Sequence, residues 1–230
     1  MREARAAVAV ALAVSGTLLA GPAAAKSPAL VQASVVAHAA QKLVPVYASP
    51  TAKRPLRVLR NPTPQGGPLV FLVKSRVPGW EQVRLAVRPN GSTGWVRDSA
   101  LTLELDPYRV VVSLSRHDVT VWNDDRKVLQ VPAGVGRTVL PTPRGTYYIT
   151  ELLKQPDPAG FYGPYAFGLS AFSYVLYHYG GGDGEVGLHG TDNPAGLGTD
   201  VSHGCIRVSN DAITKLAAML PLGTPVVIAP

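Results

Sequence analysis

The chain contains a single cysteine, Cys205, set in the run Ser202-His203-Gly204-Cys205-Ile206-Arg207. A thiol attacks a carbonyl as its thiolate, and an imidazole within hydrogen-bond reach can take the proton while the resulting imidazolium lowers the thiol pKa. Two histidines are candidates. His203 shares a face with Cys205 in an extended segment, but adjacency along one strand seldom gives the ring its approach angle. His189, in Gly187-Leu188-His189-Gly190-Thr191, can be folded back onto Cys205 from a neighbouring strand by the loop 190–201, and is the preferred base. Gly204 lets the backbone approach a substrate, so the amides of Gly204 and Cys205 are oxyanion-hole candidates, each donor worth roughly 3 to 4 kcal/mol of transition-state stabilisation. Arg207 lies on the same face as Cys205 if the segment is extended. It can hold a substrate carboxylate bidentately or make a salt bridge to Asp200 or Asp211. His189, His203 and Cys205 are also zinc-type ligands, although no acid has an obvious place behind them. A lone cysteine is commonly a small core hydrophobe; the polar neighbours here argue otherwise.

Composition narrows the setting. Across 230 residues, 22 Lys and Arg stand against 15 Asp and Glu, a net charge of +7, and 46% of positions are apolar. That is globular material, and 23 Gly, 21 Pro and only 16% charged residues exclude a coiled coil. Beyond the N-terminus no apolar run reaches the roughly 18 residues of a membrane span, which excludes a multi-span membrane protein. One cysteine excludes an intramolecular disulfide, a Cys-rich zinc site and an iron–sulfur cluster. Arg2 and Arg5, the apolar stretch Ala6 to Ala20, then Gly21-Pro22 and Ala23-Ala24-Ala25 read as an export signal over residues 1–25. The rest is expected outside the cytoplasmic membrane, associated with the cell wall; an uncleaved anchor is the alternative. An idle thiol is a liability there.

Charge is unevenly spread. Residues 26–106 carry 11 Lys and Arg against 4 Asp and Glu, whereas residues 107–230 carry 9 against 10. The basic half suits an anionic wall polymer, and nucleic acid is not expected because the cations show no aromatic interleaving. After a linker at 26–39, closely spaced short strands (Leu43 to Tyr47, Leu69 to Val77, Glu81 to Val87, Gly94 to Val96) predict a small barrel over 40–105. Pro78-Gly79-Trp80 and Gly94 to Leu101 resemble the last strands of bacterial SH3-like wall-associated domains, and Trp80 and Trp95 either line a groove or pack inside.

From 106 to 230 a second, mainly β domain is expected. Its strands are Arg109 to Leu114, Asp118 to Asn123, Lys127 to Val131, Gly145 to Thr150, Tyr174 to Tyr179 and Thr224 to Ala229, with a turn at Asn123-Asp124-Asp125. Ile213, Leu216, Ala217 and Leu220 fall at helical spacing, capped by Ser209 or Asn210 and stopped at Leu222-Gly223. Tyr162, Tyr165 and Phe172, among Gly160, Gly163 and Gly168, either roof the site as a lid or belong to the core. His38, His117 and His178 show no partner pattern.

His189-Gly190-Thr191 and, with twelve residues between His189 and Ser202, the run Ser-His-Gly-Cys-Ile-Arg-Val-Ser-Asn resemble the signature of the L,D-transpeptidase catalytic domain, the YkuD-like fold. Thr142-Pro143-Arg144-Gly145-Thr146 and Gly223-Thr224-Pro225-Val226 extend the resemblance across nearly all of 107–230. It implies a β-sandwich domain with one short helix, Cys205 as nucleophile, and His189 as base oriented by the Gly190 carbonyl. His203, Ser202 and Gly204 complete the motif, with Ser202, Arg207 and Tyr165 toward the substrate. The implied reaction attacks the third residue of a peptidoglycan stem tetrapeptide, expels D-Ala, and passes the acyl group to another stem, giving 3→3 cross-links. With water as acceptor the same fold is an L,D-carboxypeptidase. No metal or organic cofactor is implied, and a monomer is expected. A non-catalytic wall-binding protein is disfavoured by the intact His189, Gly204 and Cys205.

Overall fold

Runs of β-branched residues at alternating positions set the architecture of the computed structural model, which describes residues 33–178 and 182–230. The export-type segment 1–25, the first part of the expected linker and Tyr179 lie outside the described residues. The end of that linker is not a linker: Ser34–Ala39 forms β1, with Val36 and Ala37 buried. A hairpin follows, β2 (Leu43–Val46) and β3 (Arg57–Arg60), then β4 (Val70–Val77), β5 (Trp80–Arg84), β6 (Thr93–Arg97) and β7 (Leu101–Asp106). Five of these form an antiparallel sheet in the order β6-β5-β4-β1-β7. The hairpin lies beside it, joined by a bridge between Tyr47 and Trp95. Val44, Val46, Phe71, Val83 and Val96 fill the space between. Trp80 is buried, edge-on to Tyr47 and under the Arg97 guanidinium at 4.4 Å, so it packs the module and lines no groove.

The second half contains β8 (Tyr108–Ser113), β9 (Asp118–Asn123), β10 (Arg126–Pro132), β11 (Val135–Gly136), β12 (Gly145–Lys154), β13 (Tyr165–Phe172), β14 (Glu185–His189), β15 (Asp200–Ser202), β16 (Ile206–Arg207), the helix α1 (Asn210–Met219) and β17 (Pro225–Ala229). Eight strands make one mixed sheet, β10-β9-β8-β17-β12-β13-β14-β16. The last strand is inserted between β12 and β8, parallel to β8, and β16 runs parallel to β14. β11 and β15 form a separate parallel pair. The mainly β fold with one helix is as expected.

Ser209 caps α1 by accepting from the Ala212 amide at 3.2 Å, a contact worth about 1 kcal/mol. Ala212, Ile213 and Leu216 bury the apolar face, the two large side chains contributing about 1.5 to 3 kcal/mol each. The helix ends at Met219, earlier than Leu222-Gly223, because Pro221 has no N–H to continue it.

The two sheets are locked together. The Arg88 guanidinium donates to the carbonyls of Ser173 (2.7 Å), Leu176 (3.0 Å) and Asp183 (2.8 Å) and stacks on Phe172 and Tyr177. Asn90 pairs with the backbone of Phe172 through both amide atoms. Phe172 is thus an anchor between the modules and roofs nothing. No strand forms across the described residues of the expected strand Tyr174 to Tyr179: carbonyls here go to Arg88 instead of a β-ladder. Tyr148 packs with Val70 and Leu72, and the buried Asp106 carboxylate accepts from Thr224 at 2.6 Å. A cavity of about 410 Å³ remains between the sheets, bordered by Arg60, Phe71, Tyr148, Glu151 and Glu185.

Candidate active site

Alternation along β14 sends Val186 and Leu188 into the core and leaves Glu185, Gly187 and His189 on the opposite face. β16 pairs with this strand in parallel, placing Leu188 opposite Ile206 and His189 opposite Arg207. Cys205, one residue before β16, is thereby carried to Gly187, whose amide donates to Sγ at 3.4 Å. A methyl group on Gly187 would stand 3.6 Å from His189 Cδ2 and 3.9 Å from Cys205 Sγ. The imidazole edge and the sulfur therefore both border one position, kept open by the absence of a side chain there. The loop 190–201 does bring His189 and Cys205 together from neighbouring strands. It does so with help, since β15 docks on β11 and Arg137 N donates to Ser202 O.

His189 is fully buried, and its Nδ1 lies 2.6 Å from the Gly190 carbonyl oxygen. A carbonyl only accepts, so Nδ1 carries the proton and the lone pair sits on Nε2, on the Cδ2 side of the ring. Nε2 is buried and makes no hydrogen bond. Phe161 and Tyr162 cover the imidazole, with ring centroids at 5.9 and 4.9 Å.

Burial pushes the His189 pKa down to about 4, assisted by the Arg207 guanidinium and opposed by the Gly190 carbonyl. Burial also pushes the Cys205 thiol up, against the lowering effects of the Gly187 amide and Arg207. Desolvation disfavours both charged forms. Both shifts favour the uncharged forms, thiol and neutral imidazole, over a thiolate–imidazolium pair.

The turn carrying Cys205 is pinned by Ser202. Its hydroxyl donates to Cys205 O at 2.6 Å and accepts from Gly204 N at 3.0 Å. Two expectations change. Ser202 is fully buried and holds the turn instead of facing substrate. The Gly204 amide is occupied by that hydroxyl, so it is not a ready oxyanion donor; the glycine is required because φ is +119°. The Cys205 amide makes no hydrogen bond among the described residues. His203 sits half-buried on the same turn.

Arg207 is 7% exposed, with its guanidinium 4.4 Å over the Phe161 ring and Nε unpartnered. The salt bridge to Asp200 or Asp211 does not form: Asp200 pairs with His117 at 2.9 Å, and no ion pair among the described residues involves Arg207. Tyr165 begins β13 and packs on the core, while its carbonyl accepts from Gly190 N at 3.3 Å. It has no ring contact with His189. Of the expected lid aromatics only Tyr162 reaches the base. Phe161 was missed, although Gly160-Phe161-Tyr162-Gly163 is a signal for an aromatic pair on a turn. Gly187 was missed as a site residue too, although it lies two positions before His189 and so shares its strand face.

Deeper along β14, burial and the neighbouring Glu151 push Glu185 up to about 7, while a hydrogen bond from Thr150 works the other way. Among the described residues no three His, Cys, Asp or Glu side chains converge as metal ligands.

The chain matches the L,D-transpeptidase catalytic domain family, YkuD, over residues 107–228, a span that includes every residue of this site. YkuD of Bacillus licheniformis is 40% identical over 124 residues, 54% of this chain and 67% of that protein. YkuD of Bacillus subtilis is 37% identical over 122 residues, 53% of this chain and 66% of that protein. The chain thus spans about two thirds of the length of these curated relatives. An L,D-transpeptidase from Mycobacterium smegmatis superposes with a TM-score of 0.45 at 19% identity, covering 71% of this chain and 90% of that one. With more than half its length matched, this chain belongs to the L,D-transpeptidase catalytic domain family.

Proposed function

We propose that this protein is an exported, wall-associated peptidoglycan L,D-transpeptidase that forms 3→3 cross-links through a Cys205 thioester. The supporting observation is that the His189 ring edge and the Cys205 sulfur both border the position of the missing Gly187 side chain. As Sγ attacks the carbonyl of the third stem residue, Nε2 takes the thiol proton. The carbonyl becomes an oxyanion, for which the Cys205 amide is a donor. Collapse breaks the peptide bond, and the imidazolium returns the proton to the departing D-Ala amine, leaving a thioester. An amine of a second stem then attacks the thioester, Nε2 takes its proton, and the thiol is regenerated. Because the resting pair is neutral, charge separation is confined to the moment of attack, under the cover of Phe161 and Tyr162.

Arg207, buried without an acidic partner, receives the terminal carboxylate of the donor stem. The N-terminal module, read as SH3-like, contacts anionic wall polymer through its basic excess, and the protein acts as a monomer without cofactor. Incubation with disaccharide tetrapeptide tests the reading. Cross-linked dimer plus D-Ala is expected; tripeptide monomer alone indicates water as acceptor; no product, with no carbapenem adduct on Cys205 by mass spectrometry, refutes it.

A further inference from the structure

We propose that Asn210 is the positioning residue for the His189 base, acting through the peptide group between Gly190 and Thr191; the role in catalysis rests on the transpeptidase reading above. Asn210 Oδ1 accepts from Thr191 N at 2.8 Å. Gly190 O lies 2.6 Å from His189 Nδ1. These two backbone atoms belong to one planar peptide unit, whose N–H and C=O point in opposite directions. The result is a head-to-tail chain: the Asn210 carbonyl, the 190–191 peptide, the imidazole N–H. Each bond in such a chain polarises the next. The Asn210 dipole strengthens the Gly190 oxygen as an acceptor, holds the proton on Nδ1, and so keeps the lone pair on Nε2. When Nε2 takes the thiol proton, the aligned dipoles face the new charge. Asn210 thus fills the place of a buried acid behind a catalytic histidine with a neutral relay.

The surroundings are built to hold that side chain. Asn210 is the first residue of α1, yet Ser209 performs the capping, which frees the Asn210 amide. Oδ1 occupies the space where a Cβ would stand on both Gly163 and Gly190, so a side chain at either position would displace it. Gly163 is also in the left-handed region, at φ +63°, as the turn after Phe161 and Tyr162 requires. The other amide atom, Nδ2, donates to Pro158 O at 3.4 Å. One side chain therefore ties the segment bearing the two covering aromatics to the peptide that orients the base.

Two variants separate the relay from simple loop fastening. Asn210→Ala removes both bonds; Asn210→Asp keeps an acceptor for Thr191 N and loses the donor to Pro158. The readouts are 15N NMR of the His189 ring, which reports the tautomer without any turnover, and the rate constant for carbapenem acylation of Cys205. Asn210→Ala is expected to give a mixed ring tautomer and a roughly 10- to 100-fold slower acylation step with initial carbapenem affinity unchanged. Asn210→Asp is expected to keep the proton on Nδ1 and recover most of the rate. Wild-type acylation in Asn210→Ala, or equal slowing in both variants with the Nδ1–H tautomer retained, overturns the relay. Absence of acylation in the wild-type protein would count against the transpeptidase reading, while the tautomer comparison would still decide the role of Asn210.

Discussion

Gly187 donates its amide to the sulfur of Cys205 at 3.4 Å, and a Cβ in its place would stand 3.9 Å from that sulfur and 3.6 Å from the His189 ring. The strand that carries His189 thus also holds Cys205, and it does so at the one position on that face that lacks a side chain.

Gly187→Ala is the direct test of this arrangement. Its φ is not in the left-handed region, and the new methyl meets the ring and the sulfur at ordinary contact distance, with only Phe167 O close at 3.3 Å. Stability should fall by about 1 kcal/mol, or roughly 2 to 4 °C in Tm. Acylation of Cys205 should slow by about 100-fold or more, because the methyl fills the open position that ring and sulfur both border in the proposed reaction. A fully active Gly187→Ala variant would mean that the proton leaves the thiol by another route.

The neutral resting pair has a pH signature. Burial lowers His189 to about 4 and raises Cys205, so neither group is charged near neutrality. Alkylation of Cys205 by iodoacetamide should keep climbing with pH beyond about 8.5, the ordinary thiol value. A thiolate held by imidazolium would instead level off in acid. Acylation by substrate should lose its base only as pH drops toward about 4. Rate profiles for both reactions across this range provide the measurement.

Glu185 and His189 titrate with opposite effects on stability. Glu185, raised to about 7 from an ordinary carboxyl value, favours the folded state at low pH, and that contribution is lost as pH rises through 7. His189, lowered to about 4, contributes fully above about 6.5, and its contribution is lost as pH falls toward 4. Each is of order 3 kcal/mol, and across the shared window they largely cancel. Glu185→Gln removes one side of the balance. The variant should melt higher than wild type near pH 7.5, and its Tm should drop on acidification to pH 4.5 while the wild-type Tm changes less. Parallel melting curves for the two proteins would show that Glu185 is not held protonated.

Among the described residues Arg207 pairs with no carboxylate, and the proposed function gives its charge to the donor stem. A donor stem ending in a free carboxylate should react roughly 10- to 100-fold better in kcat/KM than the same stem ending in an amide. Arg207→Gln should abolish that preference, with most of the effect in KM. Retention of the preference in Arg207→Gln would place the carboxylate elsewhere.

Local sequence carried much of this. The β8 and β9 alternation, the Ser209 cap and the apolar face of α1 are properties of neighbouring residues, and the structure places them where the pattern does. β1 was hidden because Ser34 to Ala39 is small and weakly alternating; what makes it a strand is pairing with β7, far along the chain, Ser34 opposite Asp106. Tyr174 to Tyr179 reads as a strand from its residue types, but Arg88 takes carbonyls around its described part. Ser202 and Gly204 looked exposed to substrate because nothing local reveals that one hydroxyl serves both the Gly204 amide and the Cys205 carbonyl.

By itself the sequence picked out the groups to which the proposed chemistry is assigned: one thiol, a histidine at the right spacing and an arginine on the thiol's own segment, residue types that have few other uses in that grouping. Only the tertiary structure decided their state. Parallel pairing of β14 with β16 sets the approach of ring and sulfur, and the covering aromatics remove the water that would otherwise charge them. Desolvation depends on what the whole chain packs around a group, so the neutrality of His189 and Cys205 is written in no short stretch of residues.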